Sequence, residues 1–263
     1  MDKRTIAMTI AGFDPSGGAG ILNDIKTFES LGVYGTAVIT ALTAQNVHDV
    51  AGLLPVDTEF IEKQMDTVLE GEDIGYAKTG MLYSPEIVKT IASKVQEYKL
   101  KLVVDPVMVA GSGGSLSKKD FAESLKKDLL PLAVLTTPNI HEAEILSGMK
   151  IENEEDAVEA ALEIGKYCDK VVVTGGHLKG SDIFYNSSIQ VFEGELLESD
   201  NTHGSGCTYS SAVTAMLSKG WDTGSSIKFA GKFVKESIRH GSRGTLNQMW
   251  KFEDPVQFNL KSV

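Results

Sequence analysis

The stretch Ile6-Ala7-Met8-Thr9-Ile10-Ala11, followed by Gly12-Phe13-Asp14-Pro15-Ser16-Gly17-Gly18-Ala19-Gly20 and then by Ile21, Leu22, Ile25, Phe28 and Leu31, decides the fold class. Five apolar residues and Thr9, half of the run β-branched, make a short strand. A glycine-rich turn ends it, and apolar spacing of three and four residues then marks an amphipathic helix. The same alternation recurs outward along the chain. Short apolar runs at 37–42, 74–79, 102–106, 134–137 and 171–174 read as strands buried on both faces. Helices are predicted over 21–31, after Ser84-Pro85 through Ile87, Val88, Ile91 and Val95, and over 153–167, 205–217 and 225–240. Within 182–197, apolar and polar residues alternate around Asn186-Ser187-Ser188 and Glu193-Gly194, which predicts antiparallel edge strands. Strands alternating with helices define an α/β protein with a mostly parallel central sheet.

The chain has 263 residues, and no repeat, low-complexity tract or linker divides it, so one domain over 1–263 is expected. Apolar residues at 42% and charged residues at 23% exclude a disordered chain. The net charge of −11 comes with no dense Lys/Arg run, which argues against nucleic acid as partner. A polyanionic ligand would therefore depend on backbone amides, a metal ion and one or two local cations. Two cysteines, Cys168 and Cys207, make neither a disulfide framework nor a metal motif, and a reducing cytoplasm is expected. Residues 6–11 are too short for a secretory core or a membrane span, so no membrane association is expected.

Four segments carry residue choices that packing does not require, and three of them fall just after strands, where open α/β sheets bind ligands. In the loop from Ala11 to Gly20, glycines allow close approach of backbone to a ligand, though a tight turn alone also accounts for them. The run Asn201-Thr202-His203-Gly204-Ser205-Gly206-Cys207-Thr208 opens a small-residue helix. Amides and the helix dipole converge there and suit an oxyanion or a transferring phosphoryl group. The same field is expected to favour the Cys207 thiolate, and a bound phosphate to oppose it; a small buried cysteine is the plain alternative. In Thr137-Pro138-Asn139-Ile140-His141-Glu142, Asn139 and Glu142 form a capping box by spacing, while a role in organising hydrated Mg²⁺ stays open. Asp105 ends the strand Val103-Val104 and suits either a metal and phosphate shell or loop capping.

In this order and at these separations, the segments resemble the hydroxymethylpyrimidine/phosphomethylpyrimidine kinases of bacteria and archaea, members of the ribokinase-like superfamily. The resemblance spans nearly the whole chain. It rests on the first loop extended by Asp24 and Lys26-Thr27-Phe28, on Ile39 through Asn46, on Lys78-Thr79-Gly80-Met81-Leu82, on Thr137-Pro138-Asn139 with Glu142, on Gly175-Gly176-His177, and on His203 through Cys207. The last run is the most specific, because most ribokinase relatives carry Asp where this chain has Cys207. The resemblance implies a ribokinase-like three-layer sandwich, the substrates ATP and a hydroxymethyl pyrimidine, Mg²⁺, and a homo-oligomer, with a dimer expected. Two phosphorylations are implied, alcohol to monophosphate and monophosphate to diphosphate, in thiamine biosynthesis. Cys207 takes the general-base position, with Gly204, Ser205 and Gly206 as the anion hole. Gln45 and Asp24 read the ring beside Gly12, Met81 and Val107. Asn139, Thr174 and Gly176 face the nucleotide, and Glu142 and Asp105 the metal.

A glutamine amide can donate to a ring nitrogen and accept from an exocyclic amine, which suits an aminopyrimidine edge. One departure concerns Thr174, where many bacterial relatives have Lys before Gly-Gly-His; Mg²⁺ or Lys179 would have to replace that charge. The alternatives are a pyridoxine or pyridoxal kinase and a nonenzymatic ligand sensor. The intact Gly-Ser-Gly-Cys run, Asn139 and Glu142 argue against the sensor. A dinucleotide-binding dehydrogenase is disfavoured because the first loop lacks Gly-X-Gly-X-X-Gly spacing.

Overall fold

The structure is a computed structural model describing residues 4–108, 120–175 and 180–252. Its strands are β1 Ile6–Phe13, β2 Tyr34–Gln45, β3 Val50–Pro55, β4 Tyr76–Thr79, β5 Lys101–Val104, β6 Ala133–Thr136, β7 Val171–Val173, β8 Asp182–Tyr185 and β9 Ile189–Phe192. The helices are α1 Gly20–Ser30, α2 Thr58–Gly71, α3 Pro85–Tyr98, α4 Phe121–Ser124, α5 Ile140–Ser147, α6 Glu154–Ile164, α7 Ser205–Ser218 and α8 Thr223–Arg239. One nine-stranded sheet has the order β3-β2-β1-β4-β5-β6-β7-β8-β9. Pairing is parallel from β2 through β7, with β3 antiparallel at one edge and β8 and β9 antiparallel at the other.

Alternation along the strands builds the three layers. Met8, Ile10, Leu102, Val104, Val171 and Val173 pack with α2, α3, α5 and α6 on one face. Val103, Leu135 and Val172 face the opposite way, onto Tyr209 and Val213 of α7 and Ile227 and Phe233 of α8. Ala7 joins Phe28 of α1 and Met216 of α7 on that second face. Each fully buried side chain of this size contributes roughly 1.5–3 kcal/mol, so a helix on each side is what keeps both faces of the central strands dry.

Ser84 caps α3 by accepting from the Ile87 amide, with Pro85 in the first turn, as its sequence predicts. The strands in 182–197 form an antiparallel pair closed at Asn186 to Ser188. Two differences arise at the other edge. The region before residue 74 contains β3 and α2, the latter capped by Asp57 and turned inward by Ile61 and Met65. β2 is longer than expected and partly open: Leu42 pairs with Phe13 at the end of β1, and beyond it the strand pairs with β3 alone. Without a third strand alongside, that overhang has no layer to cover it.

Beyond β1 the chain first builds one way, to β2 and β3, and then the other, from β4 outward. The crevice at the carboxyl ends of β1 and β4 is therefore the topological switch point, where open sheets hold ligands.

Candidate active site

A cavity of about 320 Å³ occupies that crevice, a size that suits small molecules. Its walls come from the carboxyl ends of β1, β2, β4, β5, β6 and β7 and from the start of α7. Gly12, Gln45, Met81 and Val107 line one side; Thr137, Asn139, Thr174 and residues Gly204, Ser205, Gly206 and Cys207 line the other.

The first wall is mostly apolar. Met81 packs with Ala41 and the partly buried Val107, and the Thr40 hydroxyl holds the Met81 carbonyl at 2.6 Å. A side chain at Gly12 would stand 2.5 Å from the Met81 Cε, so the glycine makes room for the methionine. Gln45 is the polar group here. The Thr43 hydroxyl donates to its Oε1 at 3.2 Å, leaving the amide NH₂ to donate to a ring nitrogen.

The second wall is built to receive negative charge. Gly204 precedes α7 at φ +91°, and no side chain caps the helix. The Ser205 amide donates to the Thr202 carbonyl at 3.0 Å, so its expected place in the anion hole falls to its hydroxyl alone. The amides of Gly206 and Cys207 find no acceptor among the described residues. A side chain at Gly206 would meet nothing within 4 Å. Free donors at the positive end of a helix dipole make an anion-binding surface.

Cys207 is partly open to the cavity, yet desolvation by the dense surroundings pushes its thiol up to about 12. Lys78 and the Gly20 amide pull the other way, while Asp24 and Asp105 add to the rise. The pull toward thiolate expected from the helix start is thus opposed: burial and the two carboxylates raise the proton affinity of the sulfur.

Asp105 and Glu142 are both buried cavity residues. Glu142 completes the capping box with Asn139, with amide contacts of 3.0 and 2.9 Å. Burial, then the charge of Asp105, pushes Glu142 well above the usual carboxylate range. Burial also raises Asp105, against the pull of Lys78 and the Ser210 hydroxyl. The Thr137 hydroxyl, buried and lining the cavity between these elements, has no hydrogen-bond partner. Two buried carboxylates and an orphan hydroxyl on one cavity fit a hydrated Mg²⁺, which takes one or two carboxylates and completes its shell with water and phosphate oxygens. No cluster of three or more ligating side chains exists among the described residues, so an all-protein metal cage is not what this site offers.

Asp24 is the one expected ring-reading residue that the structure places elsewhere. Its carboxylate is fully buried beneath the cavity, accepting from Thr9 at 2.5 Å, Ser211 at 2.7 Å and Lys78 at 3.0 Å. Buried and held by three donors of the protein, it does not line the cavity and so does not reach a ring there. Lys78, to which the sequence assigned no role, is the important residue that was missed. It is fully buried, 3.0 Å from Asp24 and 3.7 Å from Asp105. Burial works against its charge, but the Asp24 and Asp105 carboxylates overcome that cost and hold the ammonium charged. No Lys or Arg lines the cavity among the described residues, so the cation sits under its floor. The available signal was a lysine inside an otherwise uncharged strand. Thr174 lines the nucleotide side and bonds through its amide to the Pro138 carbonyl at 2.9 Å. Gly176, His177 and Lys179 lie outside the described residues.

A mostly parallel sheet and a cleft at its switch point, lined by an uncapped helix start and two buried carboxylates, define a ribokinase-like phosphotransferase. The phosphomethylpyrimidine kinase family profile matches residues 14–249, and the chain belongs to that family. A hydroxymethylpyrimidine/phosphomethylpyrimidine kinase of Staphylococcus aureus is 38% identical over 250 residues, 91% of this chain and 90% of that one. The ADP complex of Bacillus subtilis pyridoxal kinase superposes with a TM-score of 0.84 at 38% identity, over 90% of this chain and 92% of its own. The phosphomethylpyrimidine kinase of Clostridium difficile superposes with a TM-score of 0.79 at 38% identity, over 89% of this chain and 100% of its own. No helix among the described residues is long and apolar enough to cross a membrane.

Proposed function

We propose that this chain transfers the γ-phosphoryl group of ATP to the hydroxymethyl group of 4-amino-5-hydroxymethyl-2-methylpyrimidine, and then phosphorylates the monophosphate to the diphosphate. The observation that carries this reading is the meeting of Gln45 and the free amides of Gly206 and Cys207 on one small cavity. The first suits an aminopyrimidine edge and the second a phosphoryl group. In this reading Gln45 orients the ring against Gly12, Met81 and Val107. The Gly204 to Cys207 turn receives the transferring group, and Cys207 takes the acceptor proton. Mg²⁺ would supply Lewis-acid charge to the phosphates, with Asp105 and Glu142 holding its water shell beside Thr137. Asn139, Thr174 and Gly176 would face the nucleotide; the ADP complex of the Bacillus subtilis relative supports ATP as donor. Most of the acceleration comes from alignment and charge, since phosphoryl transfer asks little covalent chemistry of the protein.

A pyridoxal kinase is the second reading, favoured by the similarity to the Bacillus subtilis enzyme at the same identity. Incubation with ATP, Mg²⁺ and equimolar pyrimidine and pyridoxal, with products identified by mass, separates the two. The pyrimidine reading expects mono- and diphosphate of the pyrimidine; pyridoxal phosphate as main product overturns it. The reading further includes a single catalytic domain over residues 1–263, a cytoplasmic location and no nucleic-acid or membrane partner. It also includes a homodimer, supported by exposed Leu42 and its exposed cross-strand neighbour Leu54; light scattering checks the mass.

A further inference from the structure

Between the two glycine-rich loops lies a buried hydrogen-bonded pair that the proposed chemistry does not use. His203 Nε2 stands 2.9 Å from Asp14 Oδ2, with side chains only 9% and 4% exposed. Asp14 also accepts from the Ser16 amide at 2.8 Å and the Ala19 amide at 2.9 Å, so its carboxylate ties down the first loop from within while reaching across to the second. Burial raises the Asp14 carboxyl, but the hydrogen bond with His203 and the Ser16 contacts outweigh it and hold Asp14 below the usual carboxylate range.

The loops are also in contact at backbone level. A side chain at Gly204 would lie 1.9 Å from the Gly18 carbonyl, and one at Gly18 would lie 2.4 Å from the His203 ring. Asn23 bridges the same seam, donating to Gly18 at 2.7 Å and Gly204 at 3.3 Å. Deeper down, α1 and α7 are joined separately through Thr208 to Asn23 and Ser211 to Asp24. The helices are thus fastened without the pair, which acts only at the loop tips, where both face the cavity. It is not a partner of the thiol either: the charged groups that act on Cys207 are Lys78, Asp24 and Asp105.

We infer that Asp14 and His203 are positioning residues, a clasp that sets the Gly204 to Cys207 turn in register with the acceptor loop. They act on the rate of transfer through that turn rather than on the binding of either substrate. Misplacement of reacting groups by about 1 Å can cost up to about 10²-fold, and a bond at the tips of two loops governs displacements of that size. This inference rests on the kinase reading proposed above.

The test is a double-mutant cycle on the full chain: His203→Ala, Asp14→Asn and the pair, with His203→Gln as the conservative variant. For each, kcat and both KM values are measured on whichever acceptor the unaltered protein phosphorylates, together with melting temperature and amide exchange of the two loops. Each single change is expected to lower kcat by about 10- to 100-fold with both KM values little moved. The double change should be no worse than the worse single one, because the two residues share one interaction. His203→Gln, which keeps a donor, should recover part of the rate. Losses that multiply in the double variant, or kcat within about twofold of unaltered protein, well short of that expectation, overturn the clasp. If the unaltered protein phosphorylates neither acceptor, the substrate reading fails by itself. Amide exchange then decides the clasp: faster exchange in both loops of His203→Ala supports it, and unchanged exchange overturns it.

Discussion

The two glycine-rich loops of this chain look alike in composition and do opposite things. In the loop from Gly12 to Gly20, the backbone is spoken for: Asp14 takes the Ser16 and Ala19 amides, and the Gly17 amide bonds to the Asp14 carbonyl at 3.0 Å. Gly20, at φ +59°, passes 2.3 Å from the Gly12 carbonyl at the point where a side chain would be. In the turn from Gly204 to Cys207, amides are left unpaired at a helix start, and Gly206 opens onto empty space. Glycine serves close packing in the first loop and at Gly204, and access at Gly206. What separates them is whether a nearby side chain consumes the amides.

The sharpest way to break this contrast is at Cys207, in the first turn of α7. Cys207→Ala is expected to bind ATP and pyrimidine nearly as before and to lose about 10²- to 10⁴-fold in kcat, the usual worth of a positioned base. Because the resting thiol is pushed up to about 12, kcat of the unaltered enzyme should climb with pH above neutrality as more thiolate forms. Cys207→Asp, with an acceptor ionised throughout, should recover part of the rate and flatten that climb. Cys207→Ala with more than about a tenth of normal kcat, well above the expected residue of activity, would leave catalysis to the amides.

Gln45 tests the facing wall. Gln45→Leu should raise the pyrimidine KM by the equivalent of about 1–3 kcal/mol, the cost of leaving a polar partner unpaired, with the ATP KM unchanged. Steady-state kinetics with each substrate varied in turn checks it; equal weakening of both would remove Gln45 from ring recognition.

The loops themselves can be set against each other with one substitution in each. Gly18→Ala drives a methyl into the His203 ring and to 2.8 Å from Thr245, and should cost about 1–3 kcal/mol of stability. Gly206→Ala meets nothing and replaces a helical glycine, so stability should hold or rise by up to about 1 kcal/mol. Its effect should appear as a higher KM for ATP instead. Thermal melts and kinetics on both proteins would show the reverse pattern if the second loop were merely structural.

The smallest effect is expected at Glu142. Its carboxyl in the folded protein holds its proton well above the ordinary range. The folded state therefore binds more protons than the unfolded one as pH rises past 4.5, and this residue costs stability over that rise. Glu142→Gln keeps a capping acceptor and removes the charge. Melting temperature should increase by roughly 2–4 °C near neutral pH, with the gain shrinking on acidification, while the Mg²⁺ concentration needed for activity goes up. A lower melting temperature with an unchanged Mg²⁺ titration would reduce Glu142 to a helix cap.

Local chemistry made much of this protein readable from its residues in order. The Ser84-Pro85 start of α3, the Asn139 and Glu142 capping box and the strand-to-glycine exits each depend on side chains within a few positions of one another. The placement of Gly12, Asp105, Thr137 and Thr174 on one cavity was also readable, because residues that end parallel strands share one edge of the sheet. Tertiary structure alone decided that Asp24 turns away from the cavity to meet Lys78, 54 positions distant, and Ser211, 187 positions distant. It alone decided that the Cys207 thiol is pushed up rather than down. A helix dipole can be read from neighbouring residues, but desolvation is summed over every atom that crowds the sulfur, and those atoms come from strands and helices far apart in the chain.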